Sequence, residues 1–383
     1  MDFHNPLGNN QEAETKEEEE LRTRSGYTVV DAIKGFKAAL EQSGAEASGK
    51  SLHHTADLIC SGCFHLWQKL LWEYTFDHVG IASPRIFHFL KKRFFELDGA
   101  YAKLPAERFY RVVEYQKSIA ECLLLVRACP RRPPLKMPRV PPETHTNEWV
   151  RASTGSASPA LAVGRVFRQG NDLAILRRIG DEFAKSCAEG ATEKALFWMK
   201  WLFEEEIYLK KNKEGSLSTA ERGPVGWPQK SRNHVGFYIA ALLAEIYKDL
   251  SQKTGMRLHE EFQSLLHIYS IHDKNTTQKR RINALCLCIQ IVCEVPRWKV
   301  PAAPSLVTDP VALERAVGHA ENFFREVLAF DPPLGNVEKE AKKGLTKALK
   351  GPVIMDSKKR KELFLQEKLN AYDAMIDSWM GQG

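Results

Sequence analysis

The stretch "TEKALFWMKWLFEEEIYLKK", Thr192–Lys211, decides how the rest of the chain is read. Its apolar residues fill three neighbouring stripes at helical spacing. Leu196, Met199, Phe203 and Ile207 form one, Phe197, Trp201 and Tyr208 the next, and Trp198, Leu202 and Leu209 the third. So wide an apolar arc belongs to a helix packed on several sides, and a core helix is the expectation. The alternative is an aromatic face that stacks a ligand, for which Trp198 and Trp201 would be suited. Glu204, Glu205 and Glu206 point about 100° apart in turn, so they cannot converge on one metal and read as a solvated tail. Glu206 and Lys210 stand in the favourable i, i+4 order.

Working outward, helical periodicity continues nearly everywhere. "YTVVDAIKGFKAALEQSG" places Val29, Ile33, Phe36 and Leu40 on one face and stops at Ser43 and Gly44. "LHHTADLICSGCFHLWQKLLWEYTF" reads as a second run, and "SPRIFHFLKKRFFEL" as a third, with Ser83 as N-cap and Pro84 at the first helical position. "HVGFYIAALLAEIYKDLSQKTG" ends at Gly255, a natural helix stop, and Asp309 before Pro310 repeats the cap-then-proline signature. "CLCIQIV" sits in a run too long and helix-like for a strand. The fold class is therefore all-α, and no internal repeat shows at a fixed period.

Between the halves lies "PRRPPLKMPRVPPETHTNEWVRASTGSASP", residues 130–159, whose prolines remove backbone donors and exclude helix. It is expected to be a semi-extended linker or an ordered strap over the surface. The organisation inferred is a disordered acidic tail (1–25), an N-terminal helical bundle domain (26–129), the proline-rich basic segment (130–159), a C-terminal helical bundle domain (160–335) and lysine-rich helices (336–383).

The chain has 383 residues, 43% of them hydrophobic and 10% aromatic, which is enough for a substantial core. No apolar run approaches the roughly 18 residues of a membrane span, and the N-terminus lacks the basic flank and apolar stretch of a secretory leader. Seven acids and three bases fall in residues 1–25, so the net +7 of the chain understates the remainder, which carries +11. Such a body suits acidic partners. Eight cysteines, several inside apolar helical runs, read as reduced core thiols and point to an intracellular site.

Candidate chemistry is sparse. Cys60 and Cys63, with His53, His54 or His65 near, suggest a metal or a redox dithiol, but the second ligand pair of a structural zinc is missing. Cys286, Cys288 and Cys293 share an apolar helix. His259 and Glu260 lack the second histidine of a metalloprotease, and neither a phosphate-binding glycine loop nor a nucleophile elbow appears. No catalytic residue, metal or cofactor is assigned. Basic residues are more suggestive: Arg131, Arg132, Lys136 and Arg139 in the proline-rich segment, then Arg165, Arg168, Arg177 and Arg178. Lys279, Arg280 and Arg281 follow, and Lys358, Lys359, Arg360 and Lys361 near the end. A basic cluster opening a helix opposes the macrodipole unless an anion sits there. Phosphate contact would satisfy it, with affinity falling steeply in salt, and a solvated surface is the equal alternative. The last cluster also fits a nuclear-import signal.

The tryptophans three apart in "EKALFWMKWLFEEEIYLKKNKE", the acid-then-lysine segment, and the apolar helix "HVGFYIAALLAEIYKDL" after a loop resemble an uncharacterised α-helical family of nucleocytoplasmic large DNA viruses. The likeness covers residues 171–250. It implies a viral setting, in the host cytoplasm, nucleus or viral factory, or in the virion, and carries no functional residues with it. The expectation is a non-enzymatic helical protein, without membrane association, that binds nucleic acid through its phosphate backbone, or an acidic viral protein partner, during replication, transcription or packaging. A minor virion structural protein is the second reading and an enzyme with an unrecognised site the third.

Overall fold

Thr28 starts the first helix. Its hydroxyl accepts from the backbone N–H of Asp31 at 3.1 Å, satisfying one of the donors a helix N-terminus leaves open. That helix, α1 (Val29–Glu41), buries Val29, Ile33, Phe36 and Leu40, the face read from the sequence. α2 (Ala45–Cys60) follows a turn at Gly44 with φ of 96°, and α3 (Phe64–Tyr74) runs into a π-helical turn, Thr75–Val79. The first half continues with α4 (Arg85–Lys103), α5 (Ala106–Phe109) and α6 (Val113–Ala128). α7 (Asn147–Ser153) lies within the proline-rich segment. Beyond it come α8 (Leu161–Val166), α9 (Ala174–Glu189), α10 (Thr192–Lys211), α11 (Gln229–Arg232) and α12 (Val235–Thr254). α13 (His259–Ser270), α14 (Gln278–Glu294), α15 (Pro310–Gly318) and α16 (Ala320–Leu328) complete the order.

This computed structural model describes residues 22–155, 158–212, 215–217, 219–271, 278–333, 335 and 337. The fold is all-α: among the described residues there are two isolated backbone bridges and no strand. No helix among them is long and apolar enough to cross a membrane. The expected lysine-rich helices of 336–383 and the acidic tail up to residue 21 fall outside the described residues, Val337 excepted.

One hydrophobic cluster runs from Val29 to Val337, across the segment the sequence marks as a boundary between two domains. α4 packs on α13, and α14 reaches the Thr75–Ala82 turns of the first half. The most enclosed helix is α14 rather than α10. Every residue from Ala284 to Cys293 is buried, the signature of a helix surrounded on all sides. α10 buries Trp198 and Trp201 as expected, but leaves Ile207 63% exposed.

Four details depart from the sequence reading. Residues 22–25, grouped with the acidic tail, belong to the fold: Arg24 is buried, donating to Cys60 O at 2.8 Å, Phe330 O at 2.9 Å and Glu107 Oε1 at 2.9 Å. One guanidinium thus satisfies carbonyls at the ends of α2 and α16 that no helical bond reaches. Ser83 does not cap α4, because its hydroxyl is hydrogen-bonded with the Cys129 thiol and Pro84 takes the cap position. The run containing Cys60 and Cys63 breaks between them into α2 and α3. Glu205 and Glu206 are buried rather than solvated: Glu206 accepts from Leu217 N at 2.6 Å and pairs with Lys210 at 2.5 Å.

The proline-rich segment is an ordered strap. Arg132 N donates to His78 O at 2.7 Å, Lys200 Nζ to Pro138 O at 2.7 Å, and Trp201 Nε1 to Thr144 O at 3.2 Å. His145 lies 2.5 Å from Glu205 and stacks on both Trp201 and Tyr208. These bonds replace the helical ones that proline forbids.

Candidate functional site

Three helices turn a mixed polar and aromatic face toward one cleft. α3 supplies His65, Gln68 and Trp72, spaced three and four apart. α4 supplies Lys91, Phe94, Phe95 and Asp98, again a single helical stripe. α13 closes one side with His267 and Ile268, followed by Ile271, and the first turn of α14 contributes Arg280. The space they enclose is about 260 Å³.

Its walls are aromatic. Trp72 and Phe94 are buried and meet edge to face, centroids 5.5 Å apart. The Arg280 guanidinium lies 5.9 Å from the Trp72 ring centroid and is buried. Phe95, by contrast, stands 79% exposed at the rim, one helical turn from Lys91. An exposed phenylalanine is costly in water, since its apolar area stays hydrated. On its polar side Gln68 Nε2 donates to Asp98 Oδ1 at 2.9 Å, with His65 Nδ1 3.3 Å from Gln68 Oε1. Burial, and then the Lys91 charge, hold the His267 imidazole below its ordinary pKa. The cleft is therefore lined by two cations, Lys91 and Arg280, by the Asp98 carboxylate with its polar neighbours, and by apolar walls.

The basic residues singled out from sequence diverge in space. Arg131 caps the end of α1, donating to the carbonyls of Leu40 at 2.9 Å and Glu41, beside Arg127. The Arg132 guanidinium lies 2.9 and 3.1 Å from the end of the Gln290 side-chain amide, which accepts from it when the amide is turned to present its oxygen. Lys136 and Arg139 are exposed on the strap, Arg139 near Thr192 and Lys194 at the start of α10. Arg165 pairs with Glu245 and Asp249 of α12 at 2.5 and 2.6 Å. Arg168, Arg177 and Arg178 are exposed around the start of α9, with Arg177 stacked 5.9 Å from Phe167. That end of α9 lies about 24 Å from the α10 start, at about 1.5 Å per residue. Lys279 pairs with Asp77 at 3.1 Å, and Arg281 lies over Trp227 at 4.8 Å. Lys358, Lys359, Arg360 and Lys361 lie outside the described residues. Of those among the described residues, Arg280 alone lines the cleft.

No group of three or more histidines, cysteines or acids suited to a metal occurs among the described residues. Burial pushes the Cys60 thiol up to about 12, so Cys60 is not the reacting thiolate of a dithiol with Cys63. Trp198 and Trp201 are core, with the Trp149 ring tilted at 50° against Trp198 and the strap's His145 stacked on Trp201.

Sequence reasoning weighed His65 only as a metal partner of Cys60 and Cys63, and passed over Gln68, Trp72, Lys91, Phe94, Phe95 and Asp98. The signal was present in "FHLWQKLLWEY" and "RIFHFLKKRFFELDG": on each helix polar and aromatic residues share one stripe, where an ordinary amphipathic helix separates them. No protein-family model, curated protein or solved structure matches the chain.

Proposed function

We propose that the protein binds single-stranded nucleic acid and seats one unpaired base in the cleft between α3, α4, α13 and α14. The observation that carries this reading is the exposed Phe95 ring beside Lys91, at the mouth of an aromatic-walled cavity of about 260 Å³. That volume is below the ~300–1,000 Å³ of sites for free drug-sized ligands, and it suits a single flat group carried on a longer chain. A base stacks on Phe95, its edge meets Gln68 and Asp98, and its phosphate faces Lys91 and Arg280. Stacking is worth about 1–3 kcal/mol per base and is tolerant of sequence. Lys91 and Arg280 are also the groups that phosphate contact requires. The large-DNA-virus setting implied by residues 171–250 would supply such strands in replication, transcription or packaging.

Fluorescence anisotropy with a labelled oligothymidylate tests the proposal. Two phosphate contacts on a single strand give a slope of log affinity against log salt of about −1.4. Phe95→Ala is expected to weaken binding about 5- to 150-fold, the equivalent of the stacking energy. A slope near zero, or equal binding by Phe95→Ala, removes the nucleic-acid reading. Displacement of the oligonucleotide by an acidic peptide bearing an aromatic side chain, with tighter binding of the peptide, assigns the cleft to a protein partner instead.

A further inference from the structure

At the end of α14 remote from the cleft, two cysteines of different helices meet. Cys187, in the last turn of α9, and Cys293, in the last turn of α14, are fully buried and within hydrogen-bonding reach of each other. The backbone fixes the same approach independently. Arg297 donates through Nη1 to the Cys293 carbonyl at 2.5 Å and through Nη2 to the Ala188 carbonyl at 3.3 Å. One planar guanidinium thus spans the residue bearing one thiol and the neighbour of the residue bearing the other. This is compatible with the Cα separation of about 4.4–6.8 Å that a disulfide needs. The fork fits because Gly190, at φ of 67°, has no Cβ to collide with the Arg297 guanidinium.

The surroundings divide the roles. Cys293 has the Cys187 thiol as hydrogen-bond donor, the Thr192 hydroxyl at the start of α10 as a second partner, and the Arg297 cation nearby. Together these outweigh its burial and the Glu294 charge and lower its pKa. Cys187 is pushed up by burial and keeps its proton. Cys60, Cys122, Cys129, Cys286 and Cys288 are all raised, with burial as the first cause. A thiolate is the form that reacts with peroxide, so the two roles needed for oxidation are already assigned.

We propose that Cys187 and Cys293 form a redox dithiol that hydrogen peroxide closes to a disulfide. The Cys293 thiolate attacks one peroxide oxygen, the O–O bond breaks, and hydroxide leaves to give the sulfenic acid. The Cys187 sulfur then displaces that hydroxyl, which departs as water with the Cys187 proton. Two thiols are oxidised and one peroxide is reduced to two waters. Arg297 and the Gly190 turn form the cover, and local opening of the α9–α10 connection admits the oxidant. The bond would tie the α9 end to α14, the helix whose first turn supplies Arg280.

The test treats the reduced full chain with a few equivalents of hydrogen peroxide, blocks the remaining thiols by alkylation, and maps peptides without reductant. The expected product is one linked peptide joining Cys187 and Cys293, lighter by two hydrogens and restored by dithiothreitol. Cys187→Ser, lacking the resolving thiol, should leave Cys293 as a sulfenic acid trapped by dimedone. Cys288→Ser should still form the link. Linkage of any other pair, equal reaction of all eight cysteines, or no reaction until denaturant is added overturns the proposal. The wild-type mapping decides this even if a variant fails to fold.

Discussion

Replacing Asp172 by alanine should destabilise the protein by about 3–5 kcal/mol, the cost of stripping one partner from a buried ion pair. Its carboxylate is fully buried and accepts from Arg168 N at 2.7 Å, Ala220 N at 2.6 Å and both terminal nitrogens of Arg222. Arg222 is itself committed, donating to Val166 O at 2.8 Å and lying 5.2 Å from the Tyr238 ring. This one carboxylate joins the loop after α8 to the segment before α11, two stretches with no helical bonds of their own. With an unfolding entropy of about 2.1 cal/mol/K per residue, the loss corresponds to a melting temperature about 4–6 °C lower.

A double-mutant cycle makes that reasoning refutable. Asp172→Leu and Arg222→Met should each cost about 3–5 kcal/mol. The double variant should cost at least about 2 kcal/mol less than the sum, since it leaves no buried charge unpaired. Additivity within about 0.5 kcal/mol, read by calorimetry, would show that the pair is not coupled. The pH dependence follows from the same site. Burial acts to raise the Asp172 pKa, but the bonds from Arg222, Ala220 and Arg168, with the Arg222 charge, outweigh it, so the folded value is depressed. The stability it contributes is fully present above its unfolded pKa of about 3.9 and is lost as pH falls through the lower folded value. The deficit of Asp172→Ala should therefore shrink only in strong acid.

Three further outcomes are expected. Burial is the first cause lowering the pKa of His54, His234 and His267, so each is held neutral in the fold. That stability is complete above the unfolded histidine value of about 6.5 and declines as pH falls below it, so urea midpoints should drop between pH 7.5 and 5; a flat profile would contradict the assignment. Trp201→Ala removes a fully buried ring and the bond to Thr144 O, and should cost about 3–5 kcal/mol while exposing the strap to trypsin at Lys136 and Arg139; unchanged digestion would mean the strap is held elsewhere. Phe95→Ala should leave the unfolding free energy within about 0.5 kcal/mol while weakening the nucleic-acid binding proposed for the cleft, because the ring is exposed; a large loss of stability would assign it to packing.

The all-α fold was legible because its signals are local. Apolar spacing marked the buried face of α1, Gly255 takes the left-handed cap of α12, and Asp309 accepts from Ala312 N at 2.9 Å at the start of α15. Ser83 misled because a cap in sequence competes with any tertiary partner, here Cys129. Arg24 and the Glu205–His145 contact were illegible for a related reason: their partners lie 36 or more residues away, and a charge beside a polar run looks solvated until its partner is placed.

The candidate site was harder to read, and the helix explains why. Neighbours in a helical sequence diverge by about 100°, so a basic cluster in sequence is a dispersal in space. Lys279, Arg280 and Arg281 go to Asp77, Trp72 and Trp227 respectively, three destinations from three consecutive residues. The same geometry that kept Glu204, Glu205 and Glu206 from one metal keeps these three from one phosphate. A surface on a helical protein is instead assembled from residues three, four and seven apart, as Lys91, Phe94, Phe95 and Asp98 are. Each such residue alone looks like ordinary surface or ordinary core. Convergence appears only when α3, α4, α13 and α14 are packed together, and that packing is set by the hydrophobic cluster, to which the cleft contributes Trp72, Phe94 and Ile268.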